Sequence, residues 1–143
     1  MQSIKEYMKS QPMKYARGTT YYLFAETKIE TSTNKAIFVK GVWIPRSQAI
    51  VTQPCSTLNE VYIAKWIFPQ KYREYRKSLI SDINGMLERE KKKIEHYKQE
   101  INDPFSSISK EQQEEHIGEV KKNIADLKKR RKTEIEILKK ITA

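Results

Sequence analysis

The first part of the chain alternates between apolar and polar positions over short stretches, which is the pattern of β-strands. Turn-forming residues separate these stretches: a polar cluster at 31–34, then Gly41, then Pro45. Residues 51–59 lack the alternation, so we expect them to be mostly loop. The four predicted strands cover residues 19–29, 35–40, 42–44 and 60–64.

The second part of the chain has apolar residues spaced by three and four, as in amphipathic helices. These stripes run through residues 80–101 and 117–141 and follow a heptad pattern. Pro104 interrupts the helical pattern, and Ser109 with Gln112 forms a capping-box sequence for a new helix. We therefore predict helices at about 70–102 and 109–142, joined by a short loop as an antiparallel hairpin.

Together the patterns predict an α+β protein, with a small antiparallel β-sheet domain followed by a long antiparallel two-helix (coiled-coil) hairpin. The predicted domains are 1–68 and 69–143, and residues 1–17 form either a short helix or a loose arm. Aligning the two apolar stripes places Ile94 opposite Ile117. Trp43 and Trp66 each lie among Val and Ile, so we expect both to be buried.

The composition favours a small core with solvated helices over one large core. Apolar residues make up 38% and charged residues 32%, against about 45–50% and 25% in typical globular domains. Cys55 is the single cysteine, which excludes an internal disulfide framework and favours a reducing cytoplasm. No apolar stretch is long enough for a transmembrane helix, so we expect no membrane partner.

The charge pattern favours a phosphate-bearing partner. Lys and Arg number 28 against 18 Asp and Glu, a net charge of +10. The predicted hairpin brings the basic start of its first helix close to the basic end of its second, and such a cluster attracts phosphate backbones. Two alternatives are that the cluster contacts an acidic protein surface, or that it only forms a solvated helix face. The expected contact residues are Arg46, Lys71, Arg73, Arg76, Lys77, Lys128, Lys129, Arg130 and Lys132.

The remaining candidate chemistry is weak, so we expect no catalytic residue, no cofactor and no metal. Cys55 has no base partner in sequence, and His96 with His116 is interpreted as two surface histidines that the hairpin brings near each other. Arg131 occupies a position in the apolar stripe and is expected to be structural. Three aromatic residues either stack on bases or, as we favour, cover the core: Tyr22, Phe24 and Phe38.

Two segments carry a resemblance to a known type of domain: residues 35–50 (KAIFVKGVWIPRSQAI) and 60–67 (EVYIAKWI). They resemble a small β-domain of phage- and mobile-element-encoded proteins, whose motif is Trp, an apolar residue, then Pro-Lys-Ser-Gln. Here Arg46 replaces the motif's lysine, and Ala64 replaces a later proline. The resemblance implies a phage or plasmid context and a strand–strand–turn unit, and it brings no catalytic residues.

The function predicted from these features is that of a non-enzymatic phage or mobile-element accessory protein in the cytoplasm of a bacterial host. It would bind nucleic acid or a nucleoprotein complex through a basic helical surface. One alternative is an anti-CRISPR or other anti-defence inhibitor of a host nuclease complex. Another is a coiled-coil assembly module that forms a homodimer through the helices.

Overall fold

The computed structural model describes residues 3–142 and has the predicted α+β fold. A short helix α1 (Ile4–Lys9) precedes seven strands, and two long helices follow them: α2 (Phe68–Ile101) and α3 (Lys110–Thr142). The two long helices pack against each other as a hairpin. The strands are β1 (Met13–Ala16), β2 (Thr19–Thr27), β3 (Thr31–Ser32), β4 (Ala36–Val39), β5 (Val42–Pro45), β6 (Ala49–Cys55) and β7 (Leu58–Ala64).

The strands form two antiparallel sheets. The larger sheet has the order β1-β2-β7-β6, and the smaller sheet has the order β3-β4-β5. The chain divides into two compact units. We call Met1–Ser78 with Ile137–Ala143 the sheet unit, and Leu79–Glu136 the hairpin unit. The sheet unit therefore contains both sheets, the start of α2 and the end of α3.

Two hairpin turns have a basic residue followed by glycine, and all four of these residues have positive φ. Arg17 and Gly18 (φ 52° and 79°) join β1 to β2, while Lys40 and Gly41 (φ 50° and 76°) join β4 to β5. Positive φ at both central residues defines the type I′ turn, which matches the twist of two-residue hairpins. Asn or Gly is usual at the first position, so both cations adopt a backbone conformation that their residue types disfavour.

The core of the sheet unit is organised around Phe68, the first residue of α2, whose side chain is fully buried. Its ring lies 6.4 Å from the ring of Tyr22, 5.8 Å from that of Phe24 and 6.2 Å from those of Tyr7 and Tyr72. Aromatic pairs at these separations stabilise a core beyond their buried area. Tyr22 and Phe24 therefore cover the core, the interpretation favoured above, and are not available to stack on bases.

Residues 1–17 contain the short helix α1, one of the two structures considered for them, and also strand β1, which was not predicted. A capping box begins the helix. The Ser3 hydroxyl accepts the Glu6 N–H at 3.2 Å, and the Glu6 carboxylate accepts the Ser3 N–H at 3.3 Å. These bonds satisfy amides that a helix start leaves unpaired. Helix α1 buries Ile4 and Met8 in the same core as the last buried residue of α3, Ile141.

Strand β6 corrects the prediction of a mostly irregular segment at 51–59. Its residues pair with β7, from Ala49 opposite Ile63 to Cys55 opposite Leu58. This strand was not predicted because β6 lies at the edge of its sheet, where one side of the strand has no neighbouring strand to bond with. An edge position tolerates Pro54 and polar side chains, which otherwise indicate a loop.

The predicted burial of both tryptophans is wrong. Trp43 is 46% exposed and Trp66 is 65% exposed. Trp43 occupies β5 between Val42 and Ile44, both of which are buried, so strand alternation turns the indole to the opposite face. Trp66 lies in the turn between β7 and α2, where no strand or helix period directs it inward.

The hairpin unit buries Ile83 and Leu87 of α2 and Ile117 and Val120 of α3. Apolar residues of the predicted stripes therefore form its core, as the heptad pattern requires. Gln113 is also fully buried, and its Nε2 donates to Glu100 Oε2 at 2.7 Å.

Side-chain contacts join the two helices of this unit. The ring of Tyr97 in α2 lies 5.2 Å from that of His116 in α3. Nearer the other end of the unit, Arg131 Nη1 donates to Asn84 Oδ1 at 3.2 Å. The predicted position of Ile94 opposite Ile117 stays a prediction.

Replacing Phe68 by Ala should lower the free energy of unfolding by about 3–5 kcal/mol, because a buried aromatic side chain is lost and a cavity remains. Trp66→Ala, at an exposed position, should lower it by less than about 1 kcal/mol. Urea denaturation followed by circular dichroism measures both. Equal losses in the two variants would contradict the central position of Phe68.

Gly41→Ala should destabilise the protein more than Gly18→Ala. Both changes place Ala at positive φ, which costs about 1–2 kcal/mol. At residue 41 alone the new methyl group also overlaps the Ser78 hydroxyl, whereas at residue 18 it meets open space. Thermal unfolding should show that Ser78→Ala reduces the extra cost of Gly41→Ala. An identical cost with and without the Ser78 hydroxyl would rule out this contact.

Candidate nucleic-acid interface

The net charge of +10 lies entirely in one of the two compact units. The sheet unit contains fifteen basic and five acidic residues, whereas the hairpin unit contains thirteen of each. The predicted domains 1–68 and 69–143, by contrast, would each have a net charge of +5. The positive field of the sheet unit attracts polyanions from a distance and raises their rate of encounter.

The hairpin unit is neutral as a whole but uneven along α3. Residues 128–132 are five consecutive cations (KKRRK), whereas Glu111, Glu114, Glu115 and Glu119 make the first part of the helix acidic. Lys128, Lys129, Arg130 and Lys132 all have exposed side chains. In the described part of the chain, none of these four forms an ion pair within 4.0 Å. We call these four residues the α3 basic run.

The fifth cation of this stretch, Arg131, is structural, as its position in the stripe predicts. Its side chain is half-buried, and its guanidinium donates to the amide oxygen of Asn84 on α2. Because successive helical residues are about 100° apart, the other four cations lie on the remaining faces. Only Arg131 of the five is therefore engaged within the hairpin.

The predicted contact residues of α2 differ in their availability. The side chain of Lys71 is only 12% exposed, and its Nζ lies 3.3 Å from Glu74 Oε2. Arg76 donates to the Tyr72 hydroxyl from Nη2 at 2.8 Å and from Nε at 3.1 Å. Lys71 and Arg76 thus stabilise the sheet unit, while Lys77 has an exposed side chain and Arg73 is half-buried.

An aromatic cluster lies beneath Arg76. The rings of Tyr7 and Tyr72 stack at 4.5 Å, and the Arg76 guanidinium lies 5.2 Å from the Tyr72 ring and 5.7 Å from that of Tyr75. Burial raises the pKa of Tyr7, the neighbouring Tyr72 raises it further, and the charge of Arg76 partly opposes this. The neutral phenol is therefore the form that the fold accommodates.

Arg46, the predicted contact of the β-domain, lies in a short 3-10 turn after β5 (Arg46–Gln48). Its Nε donates to the backbone oxygen of Thr33 at 2.9 Å, and its side chain remains exposed. One hydrogen bond thus orients the guanidinium, while other N–H groups of its fork stay available to a phosphate.

The sequence analysis missed two further cations, which lie in the type I′ turns. Arg17 Nη1 donates to the backbone oxygen of Ser47 at 3.2 Å, and Lys40 Nζ lies 5.3 Å from the centre of the Tyr75 ring. The local signal for both is a basic residue before glycine between two alternating stretches. Their contacts join residues far apart in sequence and needed the folded structure to be seen.

The other candidate groups are Cys55, His96 and His116. The Cys55 thiol is exposed, and a hydrogen bond with the Thr57 hydroxyl lowers its pKa. His96 Nε2 lies 2.9 Å from Glu100 Oε1, and both His96 and His116 lie near the ring of Tyr97. Among residues 3–142, no group of three or more His, Cys, Asp or Glu side chains is placed to hold a metal ion.

Comparison with known proteins adds no assignment: no family model, curated protein or solved structure matches this chain. Within the described residues, neither long helix nor the short one has the length and apolar character needed to cross a bilayer.

The stability of the fold should fall at alkaline pH partly through Tyr7. The ordinary pKa of tyrosine is 10.0 and that of Tyr7 in the folded protein is higher. Above about pH 10 the unfolded chain therefore loses this proton first, and unfolding becomes easier as pH rises. Urea denaturation at pH 8 and at pH 11 gives the fall in unfolding free energy between the two. This fall should be smaller in Tyr7→Phe than in the unmodified chain.

The matched control for this experiment is Tyr15→Phe, because Tyr15 is 77% exposed. This variant should lose as much stability between pH 8 and pH 11 as the unmodified chain. A Tyr7→Phe variant with the same alkaline loss as the control would show that burial of Tyr7 does not govern its ionisation.

Proposed function

We propose that this protein binds nucleic acid, alone or within a nucleoprotein complex, through its exposed cations and without catalysis. The observation that carries the proposal is the α3 basic run, in which four cations within five residues are exposed and, in the described part of the chain, form no ion pair within 4.0 Å. Exposed lysine and arginine side chains neutralise phosphates and release their condensed counterions.

The contact proposed here is with the phosphate backbone and not with base edges in a groove. The α3 basic run contains three lysines and one arginine and no Asn or Gln, and lysine acts on phosphate as a point charge. Arg46, Arg73 and Lys77 of the sheet unit add further cations to the same function. Binding of this kind depends little on nucleotide sequence.

The biological setting is proposed from the resemblance of residues 43–48 (WIPRSQ) to a motif of mobile-element proteins. That resemblance supports a phage or plasmid origin and action in the cytoplasm of a bacterial host. The alternative is an anti-CRISPR or other anti-defence inhibitor, whose cations would occupy a guide- or DNA-binding surface of a host nuclease or clamp its bound nucleic acid.

Replacing the α3 basic run by glutamine (Lys128, Lys129, Arg130 and Lys132→Gln) should weaken binding to random-sequence duplex and single strands alike. Glutamine keeps helix propensity close to that of lysine and arginine, so the fold should persist. Fluorescence anisotropy at about 50 mM salt should show a loss of at least about tenfold, because up to four phosphate contacts are removed.

A variant with the same loss of charge controls for net charge alone: Lys91, Lys92, Lys93 and Lys98→Gln, on the other helix of the hairpin unit. Lys91 and Lys93 already pair with Glu88 and Glu90, so this variant should weaken binding less. Equal weakening by both variants would assign binding to overall charge. No effect of the first variant would remove the α3 basic run from the interface and leave the assembly module as the better hypothesis.

A further inference from the structure

The outer face of the smaller sheet presents an aromatic pair to solvent. Phe38 of β4 and Trp43 of β5 are directly opposed across the ladder, and their ring centres are 5.1 Å apart with an angle of 35° between planes. Phe38 is half-buried and Trp43 is 46% exposed. An aromatic surface is therefore open at the outer face of the smaller sheet.

The two faces of this sheet differ in an unusual way. Ile37, Val39, Val42 and Ile44 form the inner face and are almost completely buried, so they account for the core. The outer face of such an antiparallel sheet is ordinarily polar because it contacts water. Here Ala36, Phe38, Trp43 and Pro45 occupy it on β4 and β5, next to Thr31 of β3, and a contiguous apolar patch of this kind marks a contact surface.

Most charged residues near the aromatic pair in sequence are basic. Residues 28–46 contain Lys28, Lys35, Lys40 and Arg46 but only one acidic residue, Glu30. Lys35 and Arg46 lie side by side at the open end of the β4–β5 ladder, where the Arg46 N–H donates to the Lys35 oxygen at 2.8 Å. Lys28, Lys35 and Arg46 all have exposed side chains. Two exposed cations therefore follow directly on the apolar patch along the chain, at the open end of the β4–β5 ladder.

We propose that Phe38 and Trp43 form a stacking platform for the bases of single-stranded nucleic acid, whose phosphates contact Lys35 and Arg46. This inference rests on the proposed function and adds a second kind of contact to it. Aromatic side chains on a sheet surface, flanked by cations, bind unpaired bases with little sequence preference. The open face of Trp43 offers the larger π-surface, so a base stacks there and extends the existing pair.

Charge complementarity is what selects this occupant. A second copy of the sheet unit would bring another net charge of +10 against the first, which opposes association of two such faces. In a duplex the bases are already stacked on one another and their flat faces are inaccessible. A single strand offers both exposed bases and negative charge.

The two tryptophans allow a direct test, because each is exposed and each can be made the sole tryptophan. In Trp66→Phe, Trp43 is the only indole, and oligo(dT) should quench its fluorescence as bases stack on it. In Trp43→Phe, Trp66 is the only indole and should be quenched little. Equal quenching in the two variants, or none with Trp43 alone, would overturn the platform.

Affinity provides the second measurement. Trp43→Ala should weaken binding of oligo(dT) by about five- to 150-fold, the range for loss of one stacked base. It should change binding of a duplex of equal length by less than about twofold, and Trp66→Ala should change neither. Circular dichroism verifies that each variant is folded.

The outcomes separate this inference from the proposed function. If the unmodified protein binds both nucleic acids and Trp43→Ala binds them equally well, the platform is wrong and phosphate binding stands. If the unmodified protein binds neither at low salt, both fail. If Trp43→Ala instead abolishes a concentration-dependent dimer seen by analytical ultracentrifugation and has no effect on oligo(dT), the outer face binds a second copy and the platform is again wrong.

Discussion

The burial of Phe68 is the interaction on which the sheet unit depends. This residue begins α2, and its ring contacts aromatic side chains of β2, of α1 and of the next turn of α2. A chain with 38% apolar residues has a small core, so a cluster of aromatic rings supplies much of its buried area. The same cluster includes Tyr72 and Tyr75, whose rings lie beneath the Arg76 guanidinium and fix its position.

The cations of the chain fall into two groups, those with partners inside the protein and those exposed to solvent. Lys71, Arg76 and Arg131 have partners within their own units and stabilise the fold. The α3 basic run has none in the described residues, and Arg46 retains an exposed fork. Exposed, unpaired charge contributes little to stability. Under the proposed function, this exposed charge contacts an external polyanion.

The sequence predicted the fold class because both periodicities were strong. Strand β2 followed from its alternation, and the two long helices followed from apolar residues spaced by three and four. The misassigned segments have physical reasons: β6 is an edge strand with Pro54 near its end, and Trp43 was assigned to the core by its size although alternation turns it outward. The alternation of side chains along a strand is a better guide to burial than the size of the side chain.

The candidate interface was predictable only in part. A run of five cations on a helix is visible in sequence, and the apolar stripe even identifies Arg131 as the one that turns inward. The engagement of Arg76 with Tyr72, and the open face of Phe38 with Trp43, depend on packing and strand pairing. Arg17 contacts a residue thirty positions away, a contact that no local pattern indicates.

The salt dependence of binding tests the central claim most directly. The affinity of the unmodified protein for a random-sequence duplex should be measured at several salt concentrations by fluorescence anisotropy. If cations neutralise phosphates, the logarithm of the association constant falls linearly with the logarithm of salt concentration, with a slope near −0.9 per phosphate contacted. A slope near −3.6 is expected from the α3 basic run alone if each of its four cations contacts one phosphate, and contacts by further cations would make it steeper. Absence of binding at low salt, or an affinity that salt does not change, would contradict the account.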